Sequence, residues 1–88
     1  MAKLYNYPIT KDINFTTTEQ KIVISDCYSL IILPEEDCLI SLNNNLNYKK
    51  YLSGVAIPIE LDSQVCEPIR QIFIKGSKAG VCGIWGFR

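Results

Sequence analysis

The sequence predicts an all-β fold, a small antiparallel β-sandwich of about seven or eight strands with jelly-roll-like, Greek-key connections. Three observations predict it. Apolar residues recur with a period of two, and no sustained stripe follows the helical period. Turn residues punctuate these runs about every 8 to 12 positions. Several of the runs are dominated by β-branched and aromatic residues, which suit a pleated, half-buried surface.

Residues 1–18 carry Tyr5, Tyr7, Pro8 and Phe15 among polar residues without clear alternation. Two readings stand: a first edge strand followed by a loop, or a docking arm whose aromatic groups anchor to a partner. Thr16 and Glu19 have capping-box spacing, but no apolar helical stripe follows them, so a single turn at most is expected. Short strands are expected over 21–25, 28–33 and 38–42. Pro34, with Glu35, Glu36 and Asp37 after it, presets a turn between the last two. Asn43, Asn44 and Asn45 tolerate left-handed backbone and suit a hairpin tip.

In the second half, Val55, Ile57, Ile59 and Leu61 fall on one strand face, and Ala56, Pro58 and Glu60 on the other. Pro58 has no N–H to give to a ladder, which places this strand at a sheet edge. Residues 69–75 read similarly, with Arg70, Ile72 and Ile74 sharing a face. Residues 81–87 set Val81, Gly83, Trp85 and Phe87 against Cys82, Ile84 and Gly86. Ser53-Gly54 and the segment from Lys75 to Gly80 mark two further connections. No repeat, low-complexity tract or linker divides the 88 residues, so a single domain is expected over 1–88.

Composition narrows the function. Nine basic and nine acidic residues cancel, so the electrostatic footprint of a nucleic-acid-binding or anionic-lipid-binding protein is missing. Tyr48-Lys49-Lys50-Tyr51 mixes aromatic and basic residues, but in a strand Tyr48 and Lys50 face one way and Lys49 and Tyr51 the other. The longest apolar run, Leu30 to Leu33, is far too short to span a bilayer, and the first eight residues hold no signal-like apolar stretch. No nucleic-acid or membrane partner is expected, and the expected compartment is the cytoplasm unless an assembly carries the protein elsewhere.

There is no histidine, so the commonest general base near neutral pH is absent. Lys75 and Lys78 near Cys82 do not by spacing make an activated thiol. The acids at 35–37 lack the pattern of a calcium loop, and Gly76 to Gly80 lacks the spacing of a phosphate loop. Cys27, Cys38, Cys66 and Cys82 contain no Cys-x-x-Cys pair, which argues against zinc. They are read as small core residues, reduced in a cytosolic product. Neither metal nor cofactor is expected, and the chain is read as non-enzymatic.

What remains is interaction. Hydrophobic residues make up 48% of the chain without counting glycine, whereas the usual ~45–50% includes it. A sandwich of this size has little interior in which to hide them. Residues 28–33 are apolar on both strand faces, so either Ile31 and Leu33 or Leu30 and Ile32 would sit in water without a neighbour. Tyr5, Tyr7, Phe15, Tyr28, Ile31, Leu33 and Trp85 are therefore the candidate interface residues, with self-association as a dimer or trimer expected. A rival reading makes Trp85 and the tyrosines the stacking platforms of a carbohydrate-binding module.

One resemblance bears on this. Leu39-Ile40-Ser41-Leu42-Asn43-Asn44-Asn45, then Tyr51-Leu52-Ser53-Gly54, then Ile72-Phe73-Ile74-Lys75-Gly76, then Val81-Cys82-Gly83-Ile84-Trp85-Gly86 follow a recognisable order. The order resembles that of small β-sandwich accessory proteins of tailed bacteriophage particles, which decorate heads, anchor fibres or join tail parts. The likeness spans residues 38–87; the cysteines and the residues before 38 are no part of it. It implies a structural subunit of the virion docking on a capsid, neck or tail lattice, with no catalytic residues to carry over.

Overall fold

The computed structural model describes residues 8–87; Tyr5 and Tyr7 lie outside the described residues. Eight strands follow in chain order: β1 (Pro8–Phe15), β2 (Gln20–Cys27), β3 (Ser29–Pro34), β4 (Cys38–Leu42), β5 (Lys49–Tyr51), β6 (Ile57–Glu60), β7 (Ile69–Lys75) and β8 (Gly80–Phe87). They form two four-stranded sheets, ordered β1-β8-β3-β6 and β2-β7-β4-β5. Every pairing is antiparallel. Successive strands alternate between the sheets from β1 to β4 and again from β6 to β8, the winding of an eight-stranded jelly roll. The described residues form no helix.

The core lies between the sheets. Ile13 and Phe15 of β1, Leu30 and Ile32 of β3, and Cys82 and Ile84 of β8 come from one side. Ile24, Cys38, Ile40, Tyr51, Ile72 and Ile74 come from the other. Burial follows the period of two along β3 and β8, whereas β4 buries Ser41 as well as its neighbour Ile40. In β3, Leu30, Ile32 and Pro34 point inward, while Ser29, Ile31 and Leu33 point out. Register transmits the choice: Ile32 stands opposite Ile84 on one side and Ile57 on the other. The chain changes sheets at Tyr28, the single residue between β2 and β3, whose carbonyl accepts the Leu61 N–H at 2.8 Å.

Two sequence expectations change here, those for Phe15 and Arg70. Of the two readings of residues 1–18, residues 8–15 take the edge strand, paired with β8 along its length. Phe15 is a core side chain, 1% exposed, and not an anchor for a partner. Its ring packs against the two ends of the β7–β8 connection, where only glycine leaves room. A Cβ on Gly76 would lie 2.9 Å from Phe15 Cδ1, and one on Gly80 2.7 Å from Phe15 Cζ. Glycines that echoed a phosphate loop thus make space for an aromatic ring.

The capping-box spacing at Thr16 builds no helical turn: the Thr16 hydroxyl accepts the Thr18 N–H at 3.1 Å in a small side-chain turn. Arg70 does not share a buried face with Ile72 and Ile74. The β2–β7 register shifts between Val23 and Cys27, so Ile69 turns inward and Arg70 is left in solvent beside Asp26 (3.6 Å) and Glu67 (2.9 Å).

Asn43 does adopt left-handed backbone, with φ 67°. Its side chain locks the β4 end to the start of β7. Oδ1 accepts the Arg70 N–H at 2.7 Å, and Nδ2 donates to the Pro68 carbonyl at 2.9 Å. The acidic turn after Pro34 is structural as well. Asp37 accepts the Ser53 N–H at 2.7 Å, and Glu36 pairs with Lys78 at 3.2 Å.

β6 is an edge strand, as Pro58 requires. The Leu61 N–H points to β3, so by alternation the donor that Pro58 lacks would have faced outward. A further edge device is Lys49, on the same face of β5 as the buried Tyr51 and in register with Ile40, so that a charge points into the sandwich opening.

Candidate functional site

The outer face of the β1-β8-β3-β6 sheet gathers three of the sequence candidates. Alternation along β8 sends Cys82, Ile84 and Gly86 inward, so Val81, Gly83 and Trp85 face out. On β3 the same rule turns Ile31 and Leu33 outward. The antiparallel register then sets Trp85, Ile31 and Pro58 side by side across three strands. The neighbouring row is Asp12, Gly83 and Leu33. Trp85 is 52% exposed and Leu33 40%, with Ile31 half-buried between its neighbours.

The centre of this face is thus an apolar patch assembled from strands far apart in sequence. Gly83 keeps it low beside the indole. A Cβ added there would meet nothing closer than Asp12 Oδ1 at 3.4 Å, an ordinary contact. The glycine is not demanded by packing, and its smallness leaves the flank of Trp85 open. Asp12 stands at one margin of the face and Glu60, in register with Ser29, at the other; both are exposed.

The other candidates lie elsewhere. Tyr28 is half-buried at the crossover between sheets, and Phe15 is in the core. Nor do Tyr48 and Tyr51 join Trp85. Tyr51 is buried between the sheets. The Tyr48 hydroxyl donates to the Glu19 carboxylate, and Lys75 Nζ sits 4.4 Å above its ring. Desolvation, then the hydrogen bond to Glu19, pushes the Tyr48 phenol up to about 12.

The cysteines divide three to one. Cys27, Cys38 and Cys82 are buried, while Cys66 is exposed, against the expectation that all four fill the core. Residue 66 lies in the β6–β7 connection, where Asp62 organises a turn and the Cys66 N–H donates to the Asp62 carbonyl at 2.8 Å. The Cys38 and Cys82 thiols meet across the core from opposite sheets. That contact and burial push the Cys82 thiol far above the ordinary thiol range, the opposite of an activated nucleophile. Lys78, near in sequence, pairs with Glu36 instead. Among the described residues no group of three or more metal-ligating side chains converges.

A second feature went unread in the sequence. The open side of the sandwich, between edge strands β5 and β6, holds a cleft of about 740 Å³. Ile40 and Leu42 line one wall and Ile57, Ile59 and Leu61 the other, with Lys49 at the margin. The period-two pattern of 55–61 identifies one wall. Nothing local in the sequence says that a three-residue β5 leaves the facing wall uncovered.

No protein-family model matches the sequence, and no curated protein matches it.

Proposed function

We propose that this domain is a non-enzymatic assembly protein that associates with other protein through the outer face of the β1-β8-β3-β6 sheet. The observation carrying this reading is the convergence of Ile31, Leu33 and Trp85 on one exposed sheet face. Apolar residues gathered on an exposed face are characteristic of interaction surfaces, and tryptophan is the residue type most enriched among binding hot spots. On the resemblance of residues 38–87, the setting is a phage virion, with the subunit self-associating and docking on a capsid, neck or tail lattice.

The experiment is sedimentation and light scattering of the full chain over a wide concentration range, with Trp85→Ser and Gly83→Lys as interface variants. Both positions face solvent, so both variants should keep the wild-type melt. The expected result is a wild-type dimer or trimer, with association weakened at least tenfold in both variants, the loss typical of a hot-spot tryptophan. A wild type that stays monomeric at high concentration would remove the self-association part of the reading.

Carbohydrate binding is the second reading, favoured by the exposed indole, with Tyr48 and Tyr51 committed elsewhere. Glycan screening with Trp85→Ser as the control separates the two: specific, Trp85-dependent glycan capture by a monomer selects it.

A further inference from the structure

The interior of the sandwich is sealed through most of its length and open at one side. Sheet β2-β7-β4-β5 ends in a strand of three residues and sheet β1-β8-β3-β6 in one of four, and among the described residues both are free edges. Ile57 and Ile59 face inward, since they stand opposite Ile32 and Leu30. Yet they are only partly buried, because across from them β5 is too short to cover them. The resulting cleft, about 740 Å³, falls within the ~300–1,000 Å³ usual for small-molecule sites.

Its chemistry is one-sided. The walls include Ile40, Leu42, Ile57, Ile59 and Leu61, with Asn47 and Tyr51 among the other lining residues. Of the two lysines that line the cleft, Lys49 is the one on an inward strand face, in register with Ile40. Among the described residues, no carboxylate lies within ion-pair distance of Lys49. Lys50 borders the same cleft but belongs to the opposite strand face, in register with Leu39. Glu60 also borders it, but its register with Ser29 assigns it to the outer face.

We infer that this cleft binds an anionic amphiphile, an alkyl chain ending in a carboxylate or comparable oxyanion, with the chain between the sheets and the head group at Lys49. The chain replaces water against five aliphatic side chains, and the head group gives the lysine the partner it lacks. The site lies away from Trp85, so it stands or falls independently of the docking reading.

Titration of the full chain with decanoate, below its micelle concentration, tests this by calorimetry and methyl NMR, with decanol and decyltrimethylammonium as the uncharged and cationic comparisons. Saturable decanoate binding is expected, with shifts at the methyls of Ile40, Leu42, Ile57 and Ile59. Lys49→Gln should weaken decanoate about tenfold or more, the loss of one charge-assisted contact, while decanol binding and the melt stay as in wild type. Lys50→Gln should change nothing.

Absence of saturable decanoate binding would overturn the inference. So would equal affinity for the cationic amphiphile, shifts centred on Trp85 in place of the cleft, or equal losses in the two lysine variants. An inward lysine on an edge strand also discourages edge-to-edge pairing. If Lys49→Gln promotes self-association and the wild type ignores decanoate, that role accounts for the residue and the ligand site does not exist.

Discussion

Phe15 and Gly80 share one volume: the ring of the first fills the space a side chain on the second would need. A Cβ at Gly80 would lie 2.7 Å from Phe15 Cζ and 2.6 Å from Glu36 Cβ. Gly80→Ala should therefore destabilise the domain by about 1–3 kcal/mol, the usual cost of overpacking. Phe15→Ala should cost about 3–5 kcal/mol, because a fully buried ring leaves a cavity. Combined, the two changes should cost less than their sum, since the smaller side chain relieves the clash. Urea melts of the three variants measure all of this.

Removing residues 1–18 should abolish cooperative folding, because β1 is integral. The deletion takes away Ile13 and Phe15, both buried, and strips β8 of one of its two ladder partners over eight register pairs. Two such core losses amount to about 5 kcal/mol or more, comparable with the whole stability of a small domain. Circular dichroism and a thermal scan check it. A cooperative melt in the truncated protein would show that the strand is dispensable.

Native thiol chemistry should count one cysteine and denatured chemistry four. Cys66 is exposed, whereas Cys27, Cys38 and Cys82 are buried. Burial pushes the Cys27 thiol up, and contact with Cys38 together with burial raises Cys82, which slows both further. A colorimetric thiol reagent should give one fast equivalent that Cys66→Ser abolishes. The other three should appear at the rate of unfolding.

The Glu19–Tyr48 pair gives stability with a defined pH window. The hydrogen bond from Tyr48 lowers the Glu19 carboxyl, so that contribution is present above the ordinary carboxylate range and lost as pH falls through the depressed value. The Tyr48 phenol is raised from 10 to about 12, so its contribution is complete below pH 10 and lost as pH rises through about 12. Tyr48→Phe should flatten the dependence of the urea midpoint on pH at both ends. Burial raises Tyr51 too, so the tyrosinate absorbance difference between wild type and Tyr48→Phe isolates the late titration of Tyr48.

The sequence by itself determined most of the strands after residue 20 and, where pairing is unshifted, their two faces. β8 alternates cleanly, with Cys82, Ile84 and Gly86 inside, because period-two patterning is a local property of a pleated chain. Pro58 marked its strand as an edge and Asn43 its left-handed turn for equally local reasons. Tyr48 and Tyr51 were separable for the same reason: strand parity forbids them a common face. The tertiary structure decided what parity leaves equal. In β3 both faces are apolar, and only pairing with β8 and β6 turned Leu30 and Ile32 inward and Ile31 and Leu33 out. Phe15 became core and not anchor because the β7–β8 connection, more than sixty residues away, supplies the glycines its ring requires. Cys66 reached solvent, and Lys49 came to face an open cleft, through strand lengths and crossings that no local window contains. Side-chain direction is set residue by residue, but burial is set by what the other sheet places opposite, and that is a long-range fact of the jelly-roll winding.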